Sequence, residues 1–291
     1  MPKVAFDLAH PERRTTSVVF ASPHSGRDYP WTFLRTTQLD RQTIRSSEDA
    51  FVDQLFDSAP QFGAPFLRAG APRCFVDLNR GPDELDPALI EGIAKQGHNP
   101  RIASGLGVIP RVVSGGRAIY RGKLAQAEAH RRIEQYWRPY HRMLERQLNE
   151  AHALFGQAIL VDCHSMPHEA LDVLARGVKR RPEVVIGDRF GAAAGSEVVE
   201  RIEASFTAAG LAVVRNAPFA GAYIVQTYGR PKNNRHAVQI EIDRALYMNE
   251  TLVRPNGNFN AFRRLMRQVT AEIAAIGRPE SLAEEPPLAA E

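Results

Sequence analysis

Short apolar runs recur along the chain, and each ends close to polar residues, glycine or proline. β-branched and aliphatic side chains dominate these runs, which is typical of buried strands bounded by turns. Seven strands are predicted, at residues 17–21, 74–76, 158–161, 184–186, 211–214, 222–227 and 237–242. In the last strand apolar residues alternate with Gln239 and Glu241, so these two polar side chains are expected on one face.

Helical spacing of apolar residues appears between these runs. Helices are predicted at residues 49–56, 123–155, 196–208 and 260–276. Pro139 is expected to kink or split the long helix, and Gly156 to end it. Ser196 is expected to cap the following helix, and Gly210 to end it.

Strands alternating with helices predict an α/β protein with a central mixed, mostly parallel sheet flanked by helices. No repeat or linker divides the chain, so residues 1–277 are predicted to form a single catalytic domain. Residues 81–121 are rich in Gly, Pro and Arg and predict a long loop that closes over bound substrate. The acidic, proline-containing residues 278–291 predict an unfolded tail.

Composition narrows the classes of function. The 37 basic residues are offset by 33 acidic ones, and the arginines are spread from Arg13 to Arg278. A nucleic-acid-binding protein usually concentrates its cations in one stripe, whereas scattered arginines suit the recognition of carboxylates. We therefore expect a small acidic molecule as the partner and no nucleic acid.

Cellular location is also constrained. The 2 cysteines exclude a disulfide framework and a four-cysteine zinc site. No apolar run approaches the ~20 residues that cross a bilayer, and the first residues do not resemble a signal peptide. The sequence thus predicts a cytoplasmic protein with no membrane association.

Candidate catalytic residues lie where polar clusters follow predicted strands, the usual location of sites in open α/β sheets. Two histidines and two carboxylates stand out: His24, Asp49, His164 and Glu241. A catalytic zinc commonly has three protein ligands of this kind, while a further carboxylate serves as general base. His168 and Asp162 are further candidates for ligands.

Each of these residues also has a purely structural interpretation. His24 can be a turn histidine that binds its own loop, and His164 a hydrogen-bonded core histidine. Glu241 can lie on an exposed face of an antiparallel sheet. Spacing alone does not decide between these readings, because the H-E-x-x-H motif is absent.

The segment Asp77-Leu78-Asn79-Arg80 offers an amide and a guanidinium on one short turn. These groups can bind a carboxylate or polarise a carbonyl under attack, although an Asx turn with a surface arginine is the alternative. Cys163 is disfavoured as a nucleophile because strand neighbours point to opposite faces, away from His164. The motifs of serine hydrolases, P-loop proteins and Rossmann enzymes are absent.

Several separated motifs, in order from about residue 17 to about residue 250, together resemble the N-formylglutamate amidohydrolases. They are Pro23-His24-Ser25-Gly26, Tyr29-Pro30, Asp49, Val76-Asp77-Leu78-Asn79-Arg80, Tyr120-Arg121, Tyr140-His141, Asp162-Cys163-His164-Ser165, Gly221-Ala222-Tyr223-Ile224, Tyr228-Gly229-Arg230-Pro231, Ala237-Val238-Gln239-Ile240-Glu241 and Tyr247-Met248. The resemblance implies a fold similar to zinc carboxypeptidases and aspartoacylase. It also implies one zinc ion and the hydrolysis of N-formyl-L-glutamate to formate and L-glutamate in histidine degradation.

Carried over by position, His24 and His164 resemble the imidazole ligands of the metal, and Glu241 the general base. The His-x-x-Glu pattern of carboxypeptidases is absent because Arg27 stands three residues after His24. The third ligand is therefore open between Asp49, which fits the family pattern better, and Glu48.

Substrate contacts are expected from Asn79, Arg80, Arg121 and Arg230, with Arg80 also acting on the reacting carbonyl. Two other functions stay open at this stage. One is hydrolysis of a different N-acyl amino acid or of a cell-wall-derived amide. The other is a non-catalytic protein that binds acidic ligands, although such a protein does not need Glu241.

Overall fold

A seven-stranded sheet forms the centre of the structure, a computed structural model that describes residues 4–94, 99–176 and 180–279. The strands are β1 (Phe6–Ala9), β2 (Val18–Ser22), β3 (Phe66–Ala69), β4 (Val112–Val113), β5 (Arg117–Ala118), β6 (Ala158–Met166), β7 (Val184–Gly187), β8 (Val213–Arg215), β9 (Arg235–Asp243), β10 (Met248–Asn249) and β11 (Arg254–Pro255). The sheet order is β1-β3-β2-β6-β9-β7-β8.

Four neighbouring strands, β3, β2, β6 and β9, run parallel to one another. β1 pairs antiparallel with β3, and β7 pairs antiparallel with β9 and parallel with β8. The predicted mixed, mostly parallel sheet is confirmed. Because the four central strands are parallel, their carboxyl ends meet at one edge, where ligands bind in such sheets.

Helices pack on both faces of the sheet. They are α1 (Trp31–Thr36), α2 (Val52–Leu55), α3 (Pro100–Ala103), α4 (Gln126–Arg132), α5 (Arg138–Phe155), α6 (Ser196–Ala208), α7 (Tyr223–Tyr228) and α8 (Phe259–Ile276). α2, α6 and α8 bury one face, and α5 and α7 bury the other, each over its own hydrophobic cluster. Helices and their hydrophobic clusters therefore cover both faces of the sheet.

Two of the predicted strands were wrong. Residues 74–76 form a turn, and the strand of that region is β3, eight residues earlier. Residues 222–227 lie mostly in α7. Ile224 and Val225 are both buried there, so the short apolar run carried no periodicity that separates a strand from a helix.

The predicted helices differ from the observed ones mainly at their boundaries. The helix at residues 196–208 is confirmed, but its N-cap position is Gly195, and Ser196 is its first residue. The helix predicted at 49–56 is reduced to α2, since Phe51 has a left-handed backbone with φ of 68°. Gly156, with φ of 67°, ends α5 as expected.

The long helix is split, as the proline predicted. A π-helical turn at Ile133–Trp137 lies between α4 and α5, and Pro139 is the second residue of α5. Proline has no N–H to donate back along the helix, and its ring collides with the carbonyl four residues earlier. The wider turn satisfies both constraints.

The predicted loop at 81–121 contains α3, β4 and β5, and it buries Val108 and Ile109 completely. Residues 95–98 of this loop lie outside the described residues, as do residues 280–291 of the predicted tail. Within the described parts of the chain, no helix is long and apolar enough to cross a membrane.

The core of the central strands makes a direct prediction for stability. Ile240 in β9 is fully buried, so Ile240→Ala should lower the free energy of unfolding by about 2–5 kcal/mol. Leu154, whose exposed fraction is 65%, is the matched control, and Leu154→Ala should change it by less than about 0.5 kcal/mol. Urea denaturation measures both. Equal decreases in the free energy of unfolding of the two variants would contradict the assignment of Ile240 to the core and Leu154 to the surface.

Candidate active site

Two histidines meet at the edge where the parallel strands end. His24 follows β2 directly, and His164 lies near the end of β6. Glu241 of β9 pairs in register with His164, so the two side chains are neighbours on the same face of the sheet. Cys163 belongs to the hydrophobic cluster on the opposite face, as its position in the strand predicted.

Three ligand atoms converge at this point. His164 Nδ1 lies 2.9 Å from Asp49 Oδ2 and 3.1 Å from His24 Nδ1, and His24 Nδ1 lies 3.4 Å from Asp49 Oδ2. All three residues are buried. Ligands about 2.1 Å from a tetrahedral zinc ion lie about 3.4 Å apart, so this spacing suits a metal ion.

Local backbone contacts bring the first two ligands together. The amide of Asp49 donates to the carbonyl of His24 at 3.0 Å, which fixes the start of α2 against the end of β2. Gly26 lets the turn after His24 approach the next loop, because a Cβ there would collide with the carbonyl oxygen of Ala71. This close approach explains why glycine is the last residue of the Pro23-His24-Ser25-Gly26 motif.

A carboxylate faces the second nitrogen of each imidazole. His24 Nε2 lies 2.7 Å from Asp77 Oδ1, and His164 Nε2 lies 3.0 Å from Asp162 Oδ2. Histidines that bind metals commonly use such a carboxylate to fix their tautomer and ring orientation. In this arrangement both Nδ1 atoms keep their lone pairs for a cation.

The charges around the imidazoles also favour a cation. Burial alone lowers the pKa of His164, but Asp162 and Asp49 outweigh it and raise that pKa well above its usual value. Asp162 is fully buried, and its only ion-pair partner among the described residues is His164. A negative field of this kind stabilises a metal ion as it stabilises a proton.

Glu241 has the environment of a general base. Burial, with a smaller contribution from Asp49, raises its pKa to about 7 against the opposing effect of His164. Within the described residues, the side chain of Glu241 accepts one hydrogen bond, from Gln239 Nε2 to Glu241 Oε1 at 2.8 Å. A base is most effective when its pKa lies near the working pH.

The predicted Asn-Arg turn lies next to this group. Asn79 Oδ1 accepts from the amide of Ile224 at 2.8 Å, and its Nδ2 lies 3.2 Å from His164 Nε2. Arg80 is buried, and its Nε donates to the carbonyl of Leu106 at 3.0 Å. The turn therefore places an amide beside His164, while the guanidinium of Arg80 is held by the carbonyls of Leu106 and Asn79.

The other predicted residues lie elsewhere. Glu48 binds Arg45 and the hydroxyl of Tyr29, and it is not part of the ligand group that contains Asp49. Arg230 donates to backbone carbonyls of its own segment. Arg121 is exposed. The structure does not bring either of these arginines to Arg80, and their contact with substrate stays a prediction.

Two arginines that sequence reasoning missed belong to the site. Arg244 donates to Asp49 Oδ1 at 2.9 Å and so holds the oxygen that faces away from the histidines. Arg73 donates to Asp77 Oδ2 at 3.0 Å. Burial lowers the pKa of Arg73, but Asp77, Asp49 and Glu241 together raise it. In the sequence, the only signal for Arg73 and Arg244 is that they lie a few residues from Asp77 and Glu241, respectively.

A buried His-Asp-His group with a nearby carboxylate base, at the carboxyl edge of an α/β sheet, is typical of metal-dependent hydrolases. Comparison with known proteins agrees with this class. The family model described as N-formylglutamate amidohydrolase matches residues 16–248. The chain belongs to the N-formylglutamate amidohydrolase family, and it is a hydrolase that acts on an amide C–N bond.

Individual relatives support the same family. The chain is 34% identical to an N-formylglutamate deformylase of Pseudomonas aeruginosa over 69% of this chain and 71% of that protein. It is also 34% identical to an N-formylglutamate deformylase of Pseudomonas putida, over 70% of this chain and 71% of the other. The crystal structure of an N-formylglutamate amidohydrolase from Ralstonia eutropha superposes with a TM-score of 0.86 and 35% identity, covering 94% of this chain and 98% of that one.

The carboxylate behind His24 makes a prediction for metal binding. Asp77→Asn keeps the shape of the side chain but removes the charge that orients Nε2. We expect the affinity for divalent zinc to fall about 10- to 100-fold. Asp53→Asn is the control, because Asp53 pairs with Arg27 instead. Titration with zinc and a competing chelator measures both, and equal affinities of the two variants would exclude the orienting role.

Proposed function

We propose that this protein hydrolyses N-formyl-L-glutamate to formate and L-glutamate, with one zinc ion held by His24, Asp49 and His164. The observation that supports the site most strongly is the convergence of three ligand atoms beside Glu241. The substrate is supported by the names of the two Pseudomonas relatives and of the Ralstonia structure.

The donor set favours zinc among the common metals. Two imidazole nitrogens and one carboxylate oxygen are ligands that catalytic zinc ions use, with one position open for water or substrate. When bound, the zinc ion would polarise the formyl carbonyl and make water a stronger nucleophile. Arg244 keeps Asp49 oriented for this, because it binds the other carboxylate oxygen.

Glu241 would then move the protons of the reaction. Its carboxylate accepts a proton from the attacking water and later delivers it to the nitrogen of the leaving glutamate. The hydrogen bond from Gln239 positions the carboxylate for both steps. An N-formyl amide needs both, because its amine is a poor leaving group until it is protonated.

Positive side chains would bind the substrate and the developing oxyanion. Arg73 is close enough to Asp49 and Glu241 to interact with both, and its guanidinium can donate to the carbonyl oxygen. Asn79 and Arg80 offer an amide and a guanidinium for a carboxylate of the substrate. These groups supply the orientation that keeps the formyl carbon beside the nucleophile.

We further propose that the enzyme works in the cytoplasm, in histidine degradation. The two cysteines, Cys74 and Cys163, are free and buried, which suits a reducing compartment. A protein that only binds acidic ligands is the other candidate. It is disfavoured because a buried carboxylate beside three metal ligands serves no purpose in a site that only binds anions.

The substrate is tested by a panel of N-formyl and N-acetyl amino acids. With zinc-loaded protein, N-formyl-L-glutamate should give the highest kcat/KM, measured from the release of formate or acetate. A higher value for another N-acyl amino acid would reassign the substrate within the same class. No release from any compound would contradict the proposed hydrolysis.

The general base is tested by Glu241→Gln, which keeps hydrogen bonding but cannot accept a proton. The rate should fall by about 10²-fold or more, while zinc still binds. Glu183→Gln is the control and should retain the rate, because Glu183 pairs with the exposed Arg180. Metal content and initial rates are measured on the same samples. Full activity of the Glu241 variant would rule out its role as base.

A further inference from the structure

A cavity of about 460 Å³ lies beside the Asn-Arg turn. Three arginines line it: Arg80, Arg101 and Arg189. The sequence offered Arg121 and Arg230 as companions of Arg80, and neither of them lines this space. The cavity therefore brings together cations that are far apart in the chain and that no motif connects.

These three cations are not matched by protein carboxylates. Within the described ranges, none of their guanidinium groups forms an ion pair: Arg80 donates to backbone carbonyls, and Arg189 lies 3.5 Å from the carbonyl of Gly221. The one carboxylate among the described lining residues, Glu84, accepts from the amide of Gly81 at 2.7 Å. Arginines that line one cavity without carboxylate partners offer several donors to a bound anion.

Arg80 and Arg101 are close enough to affect each other. Burial lowers the pKa of Arg80; Asp77 and Glu84 act against this, while repulsion from Arg73 and Arg101 adds to it. A buried guanidinium next to two like charges gains most from a bound carboxylate, since the fork of the guanidinium matches two carboxylate oxygens.

The backbone holds Arg189 over the cavity. Arg189 and Phe190 both have φ of 56°, a left-handed conformation that is uncommon for residues with a side chain. The amide of Arg189 donates to the carbonyl of Ala220 at 2.8 Å, so the strained turn is tied to the wall of the cavity. Strain of this kind tends to be retained where it positions a functional group.

The same wall connects the cavity to the catalytic group. The amide of Ala222 donates to Gln239 Oε1 at 3.0 Å, and Gln239 donates to Glu241 at 2.8 Å. The amide of Ile224 donates to Asn79, which lies beside His164. The wall of the cavity is therefore hydrogen-bonded to the residues that would carry out hydrolysis.

We propose that Arg189 and Arg101 bind the side-chain carboxylate of the substrate and thereby select N-acyl amino acids with an acidic side chain. Arg80 also lines the cavity and directly follows Asn79, whose side-chain amide contacts His164. This inference rests on the proposed hydrolysis, but it concerns specificity and not turnover. It adds two residues that neither the motifs nor the family resemblance indicated.

The test compares N-formylglutamate with N-formylglutamine, which has the same shape without the side-chain charge. Arg189→Gln should lower kcat/KM for N-formylglutamate by about 10- to 100-fold, mainly through KM. The value for N-formylglutamine should stay within about 3-fold, since its amide gains little from a guanidinium. Arg189→Lys should restore part of the loss, and Arg101→Gln should show the same pattern with a smaller amplitude.

Arg146→Gln is the matched control, because Arg146 is an exposed helix residue that pairs with Glu150. It should leave kcat/KM for both substrates unchanged.

Equal losses of kcat/KM on both substrates in Arg189→Gln and Arg101→Gln, or no loss in either variant, would overturn the specificity role. If the unmodified protein hydrolyses neither compound, the proposed function itself fails, and this result is distinct from the first two. Circular dichroism on each variant separates misfolding from lost binding, and Arg101→Gln carries the test if Arg189→Gln does not fold.

Discussion

The site depends on two buried imidazoles that present the same nitrogen, Nδ1, to one point. Neither ring could do so by packing alone, because a neutral imidazole can carry its proton on either nitrogen. Asp77 and Asp162 resolve this choice, since each lies against Nε2 of one histidine. Burying both acids and Asp49 together is costly unless positive charge compensates them. A metal ion bound by His24, Asp49 and His164 would therefore contribute to the electrostatic balance of the core.

The parallel sheet explains how residues from distant parts of the chain reach this point. β2, β6 and β9 are adjacent and parallel, so their carboxyl ends share one edge. Alternation along β6 and β9 sends His164 and Glu241 to one face and leaves the intervening residues to the hydrophobic cluster on the other. The same two strands thus build the core on one side and the site on the other, which requires no special local fold.

Much of this arrangement could be predicted from the sequence, and the reasons are local. The alternation of residues 237–242 placed Glu241 and Gln239 on one face, and polar residues after apolar runs placed His24 and His164 at strand ends. The strands predicted at residues 74–76 and 222–227 were wrong, because a short apolar run that is buried on all sides has no periodicity that distinguishes a strand from a helix. Arg73 and Arg244 were missed for a different reason: an arginine near a motif is common, and only the fold shows which carboxylate it binds.

The arginines that line the cavity were harder to predict from the sequence than the catalytic residues. The catalytic side chains pair with one another, and most of them lie in recognisable sequence motifs. The arginines of the cavity form no ion pair with a carboxylate among the described residues, and the partner that we infer for them is the substrate. Arg189 reaches its place through a strained turn, and Arg101 through a helix that begins at Pro100 within a long loop. Side chains that line a ligand cavity are recognised by their positions around it, and these positions are known only from the folded structure.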